Sequence, residues 1–253
     1  MYEGNRTTTP SRHAERASFD EQVIHSILDE ALIGHLAFID GGSPHILPML
    51  FVRSGGSVYV HSSTGAHPAR MAAREGTLNV SFEVTLVDAL VLARSAFSHS
   101  ANYRCVVTHG ELTLVNEPER KDAVLRALMD KLLPGRGDDA RSPTRDELRK
   151  TAVMELPLVD VGAKVRTGGP LDDDSDLGLD VWAGIQPIVC QRGTAVPADD
   201  LRVGIELPAY LAAGAAGAGG AAGAAGAGGA GGAGGAGGAG GAGTRAGGGS
   251  LTV

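Results

Sequence analysis

Val58-Tyr59-Val60-His61-Ser62-Ser63-Thr64-Gly65-Ala66-His67-Pro68-Ala69-Arg70 begins as a β-branched and aromatic run, crosses a Ser/Thr/Gly turn and enters a helix start. Hydroxyls of Ser62, Ser63 and Thr64, free amides at a helix N-terminus and a guanidinium at Arg70 are the donors that a phosphate needs. The same residues also read as a solvated turn whose serines cap the helix. Both readings place a strand directly before a helix at this point.

Upstream, residues 34–39, 45–53 and 57–62 are short apolar runs parted by Asp40-Gly41-Gly42 and Ser54-Gly55-Gly56, connections of hairpin type. They predict an antiparallel meander. Pro48 cannot donate to a ladder and marks an edge or a bulge. Ahead of the meander, Ser18-Phe19-Asp20-Glu21 has capping-box spacing, and Val23, Ile24, Ile27, Leu28, Ala31 and Leu32 recur with helical period.

Downstream, residues 64–74 read as the turn and a short helix, 77–85 and 89–97 as two strands, and 103–115 as a long strand broken at His109-Gly110, where the glycine suggests a bulge or a close backbone approach. A second helix carries Val124, Leu125, Leu128, Met129, Leu132 and Leu133 on one face and stops at Pro134-Gly135. Thr144 and Glu147 repeat the capping-box spacing for a third helix, and residues 152–159 form a last strand. Six or seven strands with helices between hairpins predict an α+β fold around a curved, barrel-like antiparallel sheet. Gly226-Ala227-Gly228-Gly229-Ala230-Gly231 matches GxGxxG, but it follows no strand and is no dinucleotide fingerprint.

The net charge of -7 argues against nucleic acid or an anionic membrane surface as partner. No apolar run approaches the length of about 20 residues that spans a bilayer, and the N-terminus lacks a signal-peptide core, so a cytoplasmic location is expected. Cys105 and Cys190 form no CxxC pair. His61, His67, His99 and His109 match no metal motif, and no metal is expected. Asp172-Asp173-Asp174-Ser175-Asp176 lacks the glycine and glutamate of a calcium loop. The expected organisation is a disordered segment over 1–17, a folded domain over 18–190, a C-terminal extension over 191–211 and a disordered Gly/Ala-rich tail over 212–253.

The stretches HILPMLFV (45–52), SVYVHSSTG (57–65), LVDALVLARSAFSHSANYRCVVTHGE (86–111), KVRTGGP (164–170) and VWAGIQPI (181–188) resemble the pyridoxamine 5'-phosphate oxidase-like flavoproteins. The resembling branch is that of nitroimidazole-reductase-type and other flavin-nucleotide-binding proteins, and the likeness covers residues 19–189. It implies a split β-barrel with flanking helices, an FMN cofactor, a homodimer with shared sites and an oxidoreductase acting on a small molecule. The resemblance implies that the backbone at Pro48 and Met49 faces the flavin ring. His61, Ser62 and Ser63 would line the ribityl chain and phosphate, and Arg70 would pair with the phosphate.

Position 67 departs from the family pattern, which usually has Arg or Lys there; His67 is only partly charged near neutral pH. Asn102, Tyr103 and Arg104 would border the flavin edge, or else form a polar hairpin tip with Arg104 in a surface ion pair. Trp182 would cross to a partner subunit and cover the flavin, or stand as an ordinary core aromatic. No side chain is assigned as a catalytic acid or base, because a reduced flavin transfers electrons without one. The alternatives are a non-enzymatic flavin or haem binder, since a single His can ligate haem iron, or a deazaflavin-dependent reductase.

Overall fold

The computed structural model describes residues 1–4, 8–10 and 12–216. The first strand, β1 (Ala17–Ser18), leads into helix α1 (Glu21–Glu30), and a meander follows: β2 (Ile33–Asp40), β3 (Ser43–Ser54) and β4 (Ser57–Ser63). Helix α2 (His67–Glu75) separates β4 from the two longest strands, β5 (Leu78–Leu92) and β6 (Ser100–Val115). Helices α3 (Pro118–Leu132), α4 (Arg136–Asp139) and α5 (Arg145–Lys150) come next, then β7 (Thr151–Pro157), β8 (Asp160–Arg166), β9 (Gly184–Pro187) and α6 (Ala209–Ala216). All pairings among the described residues are antiparallel.

The sheet order is β1-β8-β6-β7-β4-β3-β2-β5-β9, and an additional β5–β6 pairing closes six of the nine strands into a ring. The result is the α+β split barrel that the hairpin spacing and the family resemblance implied. Its interior follows from strand alternation. Leu36 and Phe38 of β2 and Val80, Phe82 and Val84 of β5 point inward, where Phe51 and Phe82 meet edge to face at 5.1 Å. Helix α1 closes this core with Ile24, Ile27 and Leu28. On the outer side of the barrel, α3 lays Val124 and Leu128 against Val52, Tyr59, Val115 and Val153.

Four local expectations are corrected. The N-cap of α1 is Asp20, whose carboxylate accepts the amides of Gln22 and Val23, while Ser18 belongs to β1. The two runs merge into one strand, Leu78–Leu92, because Asp88 is absorbed by a bulge where the register shifts between Val87 and Ala89, and residues 93–97 lie beyond its end. β6 is continuous through Gly110, and of the bulge and the close approach expected there the close approach is found, since a Cβ would stand 3.2 Å from Leu156. The run 152–159 is β7, which ends at Pro157, and it is not the last strand: β8 and β9 follow beyond it.

Tyr2 donates its backbone N–H to the Phe19 carbonyl, and its hydroxyl lies 2.8 Å from His25 Nε2. At the other end, α6 enters the first residues of the Gly/Ala stretch. The rest of that tail, with its GxGxxG match, lies outside the described residues. No described helix is long and apolar enough to cross a membrane. Cys105 is half-buried and Cys190 exposed, both as free thiols.

Glu155 ties three elements together. Its carboxylate accepts from Ser57 and Tyr59 of β4 (2.9 and 2.7 Å) and from Arg120 of α3 (2.7 Å). Burial alone would raise its pKa, but these hydrogen bonds and the Arg120 charge overcome it and hold the carboxyl below its ordinary value of 4.5. The stability it contributes is therefore present above the unfolded pKa and is lost as pH falls through the folded one. Glu155→Gln should lower stability by about 1 to 3 kcal/mol at neutral pH. In urea titrations the difference from wild type should shrink below about pH 4.5; a gap that is constant with pH would refute the ionic role.

Candidate functional site

The split in the barrel arises at β3. Residues 43–50 pair with β2, but only residues 51–54 pair with β4, so one edge of β3 is unpaired over eight residues. Pro48 is exposed on this stretch and Met49 leans into the core. A proline on a free edge costs no ladder hydrogen bond.

Beyond the open edge, β4 stays with β7 as far as Ser63↔Thr151 and then turns. Ser63 organises the turn: its carbonyl accepts the Ala66 amide at 2.9 Å and its hydroxyl accepts the Gly65 amide at 3.2 Å. Ser62 donates to the Ser63 carbonyl at 3.1 Å. The N-cap of α2 is Ala66, with no side-chain cap, so the serines do not cap the helix. The first-turn amides of α2 thus keep their positive end toward solvent.

A groove of about 520 Å³ opens there, lined by Asp40, Thr64, His67, Arg70, Met71 and Arg74. Arg70 is exposed and makes no side-chain hydrogen bond or ion pair among the described residues. His67 is held firmly: its Nε2 lies 2.8 Å from Asp40 Oδ2, and its ring stacks with those of Phe38 and His45 at 5.6 and 5.3 Å. Nothing in the sequence spacing announced this trio, since β2, β3 and α2 meet only through the tertiary fold.

His61 does not join the groove. Side chains of β4 alternate, and Val58 and Val60 enter the barrel, whereas Ser57, Tyr59 and His61 face α3. His61 borders a half-open cavity of about 320 Å³ with Leu50, Leu125, Leu128, Met129 and Leu132. Its Nδ1 is buried with no hydrogen-bond partner, and burial lowers the imidazole pKa. The cavity was not legible in the sequence, where the face of α3 read only as core.

Asn102, Tyr103 and Arg104 also lie apart from the groove lining. Asn102 is buried; its amide donates to the Gly168 carbonyl at 3.1 Å and its Oδ1 accepts from Arg166. Tyr103 is half-buried between Val87 and Arg166 in the sheet. Arg104 is bidentate to Glu30 of α1 (2.5 and 2.9 Å) and also binds Asp88 at the bulge (2.7 Å). Hydrogen bonds that Arg104 donates first to Glu30 and then to Asp88 raise its pKa and keep it charged. The ion pair that one reading of Arg104 expected is present.

His109 and His99 bond Ser81 and the Ser95 carbonyl, both at 2.8 Å. Asp172 of the acidic run anchors the backbone and side chain of Arg94 at 2.8 and 2.9 Å. No group of metal-ligating side chains occurs among the described residues. Trp182 is 68 % exposed, which is not the packing of an ordinary core aromatic.

The profile of the family described as pyridoxamine 5'-phosphate oxidase matches residues 20–165. No curated protein matches the sequence. Among solved structures, the flavocytochrome of Azotobacter vinelandii is 30% identical over 83% of this chain and 96% of its own, with a TM-score of 0.77. A FAD and haem binding protein from Mycobacterium smegmatis is 29% identical over 79% of this chain and 97% of its own, with a TM-score of 0.74. A putative 5-nitroimidazole antibiotic resistance protein from Bacteroides thetaiotaomicron, 21% identical over 68% and 90%, shares the fold at a TM-score of 0.50.

Proposed function

The chain belongs to the pyridoxamine 5'-phosphate oxidase-like family of flavin-binding split barrels, and from that premise we propose that it is a redox protein holding FMN in the groove beside β3. The observation that carries this reading is the uncapped N-terminus of α2 with an unpaired Arg70 on its first turn, next to an open strand edge. Thr64, the first-turn amides and Arg70 would hold the phosphate, and the β3 backbone at Pro48 and Met49 would lie along the ring. Arg74 is less available, being paired with Glu75 at 2.5 Å. A bound flavin supplies the electron or hydride chemistry; these residues bind it and orient it. Titration with FMN, FAD and riboflavin, followed by flavin fluorescence, tests the reading. Failure of all three to bind would overturn it.

We further propose a homodimer. Alternation along β2 and β3 turns Ile33, Ile39 and Ile46 outward, and they are 45%, 59% and 65% exposed. A two-fold partner on this face would bury them and bring Trp182 against the other subunit. Light scattering at micromolar concentration should show a dimer, and Ile46→Glu should shift it toward monomer without loss of secondary structure. A wild-type monomer with flavin bound would remove the shared-site model.

The cavity at His61 favours a second cofactor as well. Two solved relatives are a flavocytochrome and a FAD and haem binding protein. An apolar cavity bordered by an unpartnered imidazole fits a haem better than it fits a polar substrate. The absorbance spectrum of the purified protein separates flavin bands from a Soret band.

A further inference from the structure

Ser57, Tyr59 and His61 form one row on the outer face of β4, but only two of them are satisfied. Ser57 and Tyr59 donate to Glu155, whereas the buried Nδ1 of His61 has no partner. An unsatisfied buried polar atom costs about 1 to 3 kcal/mol, and an aliphatic residue at this position would avoid that cost. The cavity beside His61 is walled by leucines of β3 and α3. Such a wall offers no hydrogen-bond partner of its own.

We infer that His61 is the axial ligand of a haem seated between β4 and α3, with Arg126 and Arg141 at the cavity rim receiving the haem carboxylates. The assignment rests on the haem reading given above and adds the residues. Arg126 and Arg141 now pair with Asp138 and Glu147 at 2.9 and 2.7 Å, with guanidinium side chains 41% and 68% exposed. Arg141 holds Glu147 through two hydrogen bonds and Arg126 also donates to the Gly137 carbonyl at 3.1 Å, so a haem carboxylate would share these guanidinium groups with their present partners. Asp122 is the one acidic side chain on the lining, against these two cations. Met129 shares the cavity and is the rival ligand.

One strand end then serves both cofactors. His61 faces α3, and Thr64, just past the end of the strand, lines the groove at α2. The alternation of β4 puts the two sites on opposite sides of one short segment.

The test uses the full chain titrated with ferric protoporphyrin IX and followed by the Soret band and electron paramagnetic resonance. Wild type should bind one haem per subunit with the signature of imidazole ligation. His61→Ala and His61→Gln should lose that signature and weaken haem by about tenfold or more, since even partners of a metal ligand cost that much. Free imidazole should restore the signature in His61→Ala, and the circular dichroism spectrum should match that of wild type as a check on folding. Met129→Leu should keep the wild-type spectrum. Wild-type spectra and affinity in both His61 variants, or loss of ligation in Met129→Leu alone, would overturn the assignment of His61. No haem binding by wild type would overturn the haem reading itself.

Discussion

Arg70→Ala should weaken FMN about tenfold to a hundredfold and leave riboflavin nearly unaffected, because a charge-assisted hydrogen bond contributes about 1.5 to 3 kcal/mol. The size of the effect follows from what surrounds the guanidinium. Arg70 has no side-chain partner among the described residues, so its charge is available to a ligand at no cost in broken ion pairs. His67 is committed to Asp40 and Arg74 to Glu75. No neighbouring cation can fully replace the lost one, and the first-turn amides of α2 retain only the weaker dipolar attraction. Riboflavin lacks the phosphate and provides the control. Equal losses for the two ligands in fluorescence titrations would mean that Arg70 supports the fold and does not read the phosphate.

Gly34→Ala should cost about 3 kcal/mol or more, at the upper end of overpacking. A Cβ at position 34 would stand 2.0 Å from Cζ of Phe82 and within 2.8 Å of both Cε atoms. The ring cannot step aside, because Phe82 is 1% exposed and meets Phe51 edge to face. The reason for glycine here is space and not backbone freedom, since φ is not in the positive region. Trimming the ring should relieve the clash: Gly34→Ala combined with Phe82→Leu should lose less than the sum of the two single losses, measured by urea denaturation. Gly34 pairs with Met49 on the free-edged strand, so a displaced β2 should also weaken flavin. An unchanged denaturation midpoint in Gly34→Ala would show that the barrel wall yields at this point.

The hairpins of the meander, the amphipathic α1 and α3 and the strand-turn-helix at residues 58–70 could be read from the sequence, because each depends on neighbours a few residues away. Glycine pairs allow the tight turns, period and alternation separate inner from outer faces, and Thr144 with Glu147 closes the capping box that begins α5. Bulges and close approaches could not be read in this way. The gap between residues 85 and 89 is a bulge at Asp88 within one strand, and only the contact with Leu156 decides between the bulge and the close approach that Gly110 suggested. The candidate site divides along the same line. Local donors at Thr64 and Arg70 stand where the turn puts them. The register of β4 sends His61 to α3, and the packing of α1 against the bulge gives Arg104 to Glu30 and Asp88. Which face a strand residue takes, and which charge it meets, is decided by residues 16 to 98 positions away in sequence; only barrel closure brings these together.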